Sequence, residues 1–304
     1  MTFVLQIAID AISLGSMYSL TALGIGLIFG ILRLINFAHG DFITIGAYAL
    51  IVPAAAVVAT PFIGTWPAFF LIPAIISIVI VIALLTEFIA FRPLRGANMA
   101  SLLIASFAVS YVFQHIIILI YTGRPKAVNV GIELAQHIEF VGLRVPAIQL
   151  VAIGAAITLL GGLALFLKRT AYGVQMRAAA EDFETARLLG VRANTVIALA
   201  FAISGLLAAV VSLIFITQTG VLSFRMSLNL VIIAFISTVI GGMGSLFGAA
   251  AGGFLVGVMS TALQTVLPDD YKLTRDAFVF GFVILVLIFR PQGLIVTKAV
   301  RERV

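Results

Sequence analysis

Nine uncharged apolar runs, each set off by charge or by Pro and Gly, make up most of this 304-residue chain. They cover about Ala11–Leu32, Phe42–Val58, Phe69–Thr86, Met99–Ile120, Pro146–Leu167, Thr195–Thr217, Leu228–Ile240, Gly248–Leu267 and Ala277–Phe289. A helix needs about 20 residues to cross the hydrocarbon layer, so Leu228–Ile240 and Ala277–Phe289 read as tilted or broken helices. Only 10% of the residues are charged and 62% are hydrophobic, whereas soluble domains carry about 25% charged residues. A chain with so little polar surface is expected to be an all-α polytopic membrane protein. It has room for about 8–9 transmembrane helices, some of them broken, in a single transmembrane domain spanning 1–304.

Several chemistries are excluded. The chain has no cysteine, so it has no disulfide framework, thiolate nucleophile or thiol metal site. Its three histidines stand at no ligand spacing, and neither a metal nor another cofactor is expected. The net charge of +6 reflects topology and not nucleic-acid affinity, because basic residues of membrane proteins collect on the cytoplasmic side. No basic n-region precedes a small-residue cleavage site, so no removable signal peptide is expected.

The segment 168–192 interrupts the apolar pattern with five of the 18 basic residues and three of the 12 acidic ones. Placing it in the cytoplasm and alternating outward puts Arg33, Arg92, Arg95, Lys168, Arg169, Arg177, Arg187, Arg192, Arg290, Lys298, Arg301 and Arg303 inside. Arg124, Lys126, Arg144, Arg225, Lys272 and Arg275 then fall outside. That majority sets the N-terminus outside and the C-terminus in the cytoplasm, with an odd number of crossings. Trp66, Tyr121 and Tyr271 then lie near the outer interface, which suits amphipathic rings. The outer loop 122–145 carries Glu133, His137, Glu139 and Arg144, and has length for a small helix or hairpin.

Within 168–194 the spacing predicts one helix over Ala171–Gly190. Met176, Ala179, Ala180, Phe183 and Ala186 form a stripe, and Arg177–Glu181 and Glu184–Arg187 are spaced to pair on the wet side. Gly190 suits the left-handed residue just past a helix end. The alanines admit another backbone at close range, and Phe183 supplies an aromatic grip. The plainer alternative is a helix lying on lipid headgroups, although such helices carry more Lys and Arg and larger apolar residues.

Three motifs carry a family resemblance across essentially the whole chain. Arg177, Ala178, Ala180, Asp182, Ala186 and Gly190 fit the cytoplasmic coupling loop R-A-x-A-x-D/E-x-x-x-A-x-x-x-G. Ile35-Asn-Phe-Ala-His-Gly-Asp41, followed by Gly46-Ala-Tyr48, fits the N-terminal signature, and Arg290-Pro-Gln-Gly-Leu294 fits the closing one. The chain thus resembles permease subunits of ATP-binding-cassette importers of the branched-chain amino acid family, specifically the shorter permease of the usual heterodimer. The resemblance implies a bacterial inner-membrane location and a coupling surface at Met176, Arg177, Ala180, Glu181, Asp182, Phe183, Ala186 and Gly190. It also implies four kinds of partner: a second permease subunit, two cytoplasmic ATP-binding subunits, an external substrate-binding protein and the lipid bilayer. No nucleic acid is among them. The expected cargo is leucine, isoleucine or valine; permeases for urea and short amides share the fold, so that alternative stays open. The chain lacks a G-x-x-x-x-G-K-[ST] loop, so ATP hydrolysis is expected on separate subunits and the chain itself is not an enzyme.

Read without the family, Gly40 can end one helix and Asp41 can cap the next through the N–H groups of Ile43 and Thr44. Asn36, His39 and Asp41 then either line or brace the translocation path. Gly26 and Gly30 are four apart, as are Gly244, Gly248 and Gly252, and such stripes let membrane helices approach closely. They serve either packing within the subunit or contact with a second permease. Asp10 and Glu87 flank spans and can reach an interface. The segments Gly30–Ala49 and Gly241–Leu255 each place a Gly-containing break before a small-residue helix, consistent with two loosely related halves. A stand-alone secondary carrier would need buried acids in the spans, and the pattern offers little sign of them.

Overall fold

The computed structural model describes residues 2–54, 56–131, 134, 136–140, 143–290 and 293–295. Glu133 of the outer loop, Pro291 and Gln292 of the closing motif, and the basic residues Lys298, Arg301 and Arg303 lie outside the described residues. The chain is a polytopic all-α membrane protein. Among the described residues six helices are long and apolar enough to cross a bilayer: α1 (Thr2–Leu32), α3 (Ala68–Thr86, prolonged to Leu94), α4 (Met99–Tyr121), α5 (Ala147–Arg169), α8 (Ala193–Thr219) and α10 (Leu246–Val266). Three shorter apolar helices complete the bundle: α2 (Ala38–Tyr48), α9 (Leu228–Gly241) and α11 (Arg275–Phe289). Between α5 and α8 lie α6 (Ala171–Glu181) and α7 (Phe183–Leu188).

Helix α1 is the central post. Its neighbours are α10, α8, α9 and α5, and its inner faces carry Gly15, Ser16, Ser19, Gly24 and Gly26. Lipid is as apolar as leucine, so close packing of small residues, not burial of large ones, selects which helix sits inside. Helix α10 meets α1 along such a seam. A Cβ at Gly253 would stand 2.6 Å from the Ser19 Cα, and one at Gly26 would stand 2.8 Å from the Ala249 Cβ. On its other face Gly252 lies against Gly241, where a Cβ would come within 2.9 Å of the Gly241 nitrogen, and Gly248 packs on the Gly241 carbonyl. A Cβ at Gly30 would meet the Gly244 carbonyl only at ordinary van der Waals range, 3.9 Å. All five glycines of the stripe therefore make contacts inside the subunit.

The second apolar run departs from expectation. Its helix has only 11 residues, about 16 Å at 1.5 Å per residue, too short to span alone. Beyond Tyr48 the chain turns back through an Ile51–Pro61 bridge instead of continuing helical to Val58. Lys126 holds this stretch: its buried Nζ donates to the carbonyls of Ala54 and Ala56, each at 2.6 Å. Lys126 belongs to β1 (Lys126–Ala127), which pairs antiparallel with β4 (Val221–Leu222) after α8. Strands β2 (His137–Phe140) and β3 (Leu143–Pro146) form a hairpin at the same end of the bundle. The opposite end carries α6, α7 and the two interhelical breaks 33–37 and 242–245.

Glu87 is held by a partner. Thr86 and the π-helical turn Glu87–Phe91 end α3, and Glu87 is buried to 4% side-chain exposure against Arg95. Arg95 donates to the Glu87 carboxylate and to Asn194 at the start of α8. The acid, at the end of its span, is paired and not a free charge. It forms half of a clamp between the α3–α4 link and the segment that leaves α7.

Candidate coupling elbow and the buried polar row

The segment 168–194 is two helices where one was expected. Asp182 adopts extended backbone (φ −146°, ψ 108°), which ends α6. Its carboxylate then accepts from the N–H groups of Glu184 (3.0 Å) and Thr185 (3.1 Å) and from the Thr185 hydroxyl (2.6 Å). This satisfies amides at the start of α7 that have no helical partner. Asp182 is therefore a hinge cap and not part of a continuous helical face. Neither Arg177–Glu181 nor Glu184–Arg187, each within one of the two helices, is among the ion pairs of the described residues.

Both ends of the elbow are fixed. Thr170 caps α6 by accepting from the Gly173 N–H at 3.0 Å, and Gly173 folds directly onto the end of α5, where a Cβ would lie 2.5 Å from the Leu167 Cα. At the far end Gly190 takes the left-handed conformation (φ 89°). Its N–H donates to the Arg187 carbonyl, and that of Val191 donates to the Ala186 carbonyl, both at 3.0 Å. This pair of bonds closes the last turn of a helix, and Gly190 takes the role its position predicts.

The apolar stripe faces inward. Met176, Ala179 and Ala186 are 1–3% exposed and pack into the chain's own core, as do Ala180 and Phe183 in part. These residues fasten the elbow to α1, α5 and α8; Met176, Ala186 and Phe183 are not the free surface the periodicity suggested. The most exposed apolar surface of the elbow is the tip: Leu188 is 88% exposed and Leu189 is 82% exposed, against half-exposed Tyr172 and Val174 on α6. Beneath the elbow lies a cavity of about 330 Å³. Gly30 lines it from α1, Arg33 from the break that follows, Arg177 and Glu181 from α6, and Gly244 and Ser245 from the α9–α10 turn. Elbow and both interhelical breaks thus share one space.

The break between α1 and α2 holds a buried polar row. The Asn36 side-chain oxygen accepts from the Ala38 N–H at 3.2 Å, and this turn starts α2 in place of the expected Asp41 cap. Gly40 lies inside α2 and ends no helix; it lets α2 approach Val231 and Ser227. Asp41 sits in the first turn of α2 and shares one small cavity with Ser110 and Gln114 of α4. His39 Nδ1 meets the Ser204 hydroxyl of α8 at 2.9 Å, and its ring covers Gly24 of α1. Thr44 and Ser227 share a hydrogen bond of 2.6 Å. Asn36, His39, Asp41 and Thr44 are at most 4% exposed and tie α2 to α4, α8 and the start of α9. Among the described residues no group of three or more His, Asp or Glu could hold a metal.

Comparison with known proteins matches residues 7–288 to the family described as "Branched-chain amino acid transport system / permease component". The chain is 34% identical over 296 residues to the high-affinity branched-chain amino acid transport system permease protein BraD of Pseudomonas aeruginosa, covering 96% of this chain and 95% of BraD. It is 31% identical over 301 residues to LivH of Escherichia coli K12, named for the same transport system, covering 96% of each. A shorter match, 30% over 135 residues and 42% of this chain, is to the autoinducer 2 import system permease protein LsrC of Photorhabdus luminescens. No solved structure matches the chain.

Proposed function

The chain belongs to the family of branched-chain amino acid transport system permease components, and from that premise we propose that it is one permease of a paired, ATP-driven importer. The cargo is leucine, isoleucine or valine, the class named for both full-length relatives, and the membrane is a bacterial cytoplasmic one. A second permease subunit completes the membrane unit, an external binding protein delivers the cargo, and two cytoplasmic ATP-binding subunits supply the work. The described basic residues favour this orientation: Arg33, Arg92, Arg95, Lys168, Arg169, Arg177, Arg187, Arg192 and Arg290 belong to the elbow end. The N-terminus is then outside and the C-terminus inside.

The elbow carries the proposal. An 88%-exposed Leu188 beside an 82%-exposed Leu189, on a short helix capped at both ends, offers water an apolar knob that a partner's groove would cover. Glu184 and Arg187 flank it. Force on the tip passes through Met176 and Ala179 to α1 and through Arg95–Asn194 to α3, rocking the helices around the 330 Å³ cavity. We assign Asn36, His39 and Asp41 to bracing the half-length α2 at the path, since Asn36 Oδ1 and His39 Nδ1 bond within the subunit and Asp41 lies beside Ser110 and Gln114 of α4.

Co-expression with candidate ATP-binding and binding-protein subunits, followed by uptake in proteoliposomes, tests this. ATP-dependent leucine uptake with no urea uptake is the expected result. Leucine uptake by the permease without ATP-binding subunits, or uptake of urea alone, would contradict it.

A further inference from the structure

A second cavity, of about 630 Å³, opens at the end opposite the elbow; among the described residues Asp10 is its one carboxylate, with His137, Gln218 and Ser13 also in the wall. Both carboxamides that reach Asp10 bond the same oxygen, Oδ1: Gln149 Nε2 at 2.9 Å and Gln6 Nε2 at 3.4 Å. Among the described residues nothing bonds Oδ2. Gln149 spends its N–H on Asp10, and its buried Oε1 has no partner. The hydroxyls of Thr217, Thr261 and Thr265 donate back to their own helices, to the carbonyls of Leu213 (2.8 Å), Gly257 (3.1 Å) and Thr261 (2.9 Å). What Asp10 and the three threonines have left for an occupant is lone pairs, while Gln149 keeps its Oε1 and one N–H. The Asp10–Gln149 side of the cavity therefore attracts a group that is positively charged and rich in N–H donors, and the unpaired Gln149 acceptor out of water is costly until such a group arrives.

Gln264 supplies the complement. Arg275 donates to its Oε1 at 3.0 Å, which leaves its amide N–H groups as donors at the cavity wall. Leu14 and Ile148 add apolar lining.

We propose that this cavity is an extracellular-side binding site for the free amino acid, with the α-ammonium on Asp10 and Gln149, the carboxylate on Gln264 and the apolar side chain over Leu14 and Ile148. The proposal rests on the importer reading for which end faces outward, and it sharpens the cargo. A neutral amide such as urea has no cation for Asp10, so the site selects zwitterions. A monovalent metal ion shares the acceptor chemistry without the carboxylate or the apolar body.

The test is saturation binding of radiolabelled leucine to the assembled transporter in nanodiscs, with the binding protein left out. Competition by leucinamide, which keeps the ammonium, but not by N-acetylleucine or urea, supports the site. Insensitivity to replacing sodium with choline excludes the metal-ion reading. Asp10→Asn is expected to weaken leucine binding about ten- to a hundredfold, the range for loss of a charge-assisted hydrogen bond. Thr261→Val, which removes one lone-pair donor without changing shape, is expected to weaken it about threefold. Equal competition by N-acetylleucine, unchanged binding in both variants, or no leucine binding at all overturns the site. ATP-dependent leucine uptake with the binding protein restored, measured on the same preparation, reports separately whether the importer reading stands.

Discussion

Helices α1 and α3 are both long enough to cross a bilayer, yet 94% of the most apolar stretch of α1 is buried and only 17% of that of α3. The buried helix is the less apolar of the two. In water that ordering would be reversed, because burial of large side chains drives the packing. In lipid a leucine gains little by leaving the tails, and contact between helices is set by how closely backbones can approach. Gly15, Ser19 and Gly26 place α1 at the centre; Phe69, Phe70 and Leu85 leave α3 at the rim. What α3 contributes to the interior is one narrow stripe, Ile75, Val79 and Ala83, the last two against α8, and at its polar end the Glu87–Arg95 pair that fastens it to the root of the elbow.

That contrast orders the expected effects. The largest is Arg95→Ala, which strands the buried Glu87 carboxylate and is expected to cost about 3 kcal/mol. Thermal unfolding in detergent reads it, and a double variant with Glu87→Gln is expected to recover most of the loss. Next comes Gly253→Leu in the α1–α10 seam, expected to destabilise by about 1–3 kcal/mol through overpacking; unchanged stability would remove close approach as the reason α1 is central. Asp182→Ala is expected to cost about 1 kcal/mol, confined to α7, and to appear as faster hydrogen exchange at the Glu184 and Thr185 amides while α6 stays protected. Smallest is Leu119→Ala on the rim helix α4, where 84% exposure predicts a change within about 0.5 kcal/mol. A loss there equal to that of Gly253→Leu would break the contrast.

Much of this architecture is legible in sequence because the bilayer imposes one length on every crossing. The glycine stripes are visible in sequence, but the neighbours that Gly26, Gly248 and Gly252 meet inside the subunit come only with folding. Local signals failed where tertiary contacts outbid them. The stripe Met176–Ala186 continues in phase across Asp182, so periodicity alone sees one helix. The signal that could have divided it is Asp182 followed by Glu184 and Thr185, a capping pattern that serves equally well in mid-face. Once the helix breaks, Phe183 turns inward and Leu188 and Leu189, adjacent in sequence and invisible to a helical stripe, become the tip. Asp41 likewise looks like a cap until Ser110 and Gln114 arrive from α4, about 70 residues away in the sequence. Glu87 gives no sign of its pairing until Arg95 folds back upon it.

The central claim is that the Leu188–Leu189 tip faces the cytoplasm and is gripped by an ATP-binding subunit. The chain has no native cysteine, so Leu189→Cys is a single-thiol probe. In intact cells this thiol is predicted to resist a membrane-impermeant maleimide, and in inverted vesicles to cross-link to the ATP-binding subunit. Labelling from outside intact cells, or cross-linking only to lipid in the assembled complex, would contradict the account.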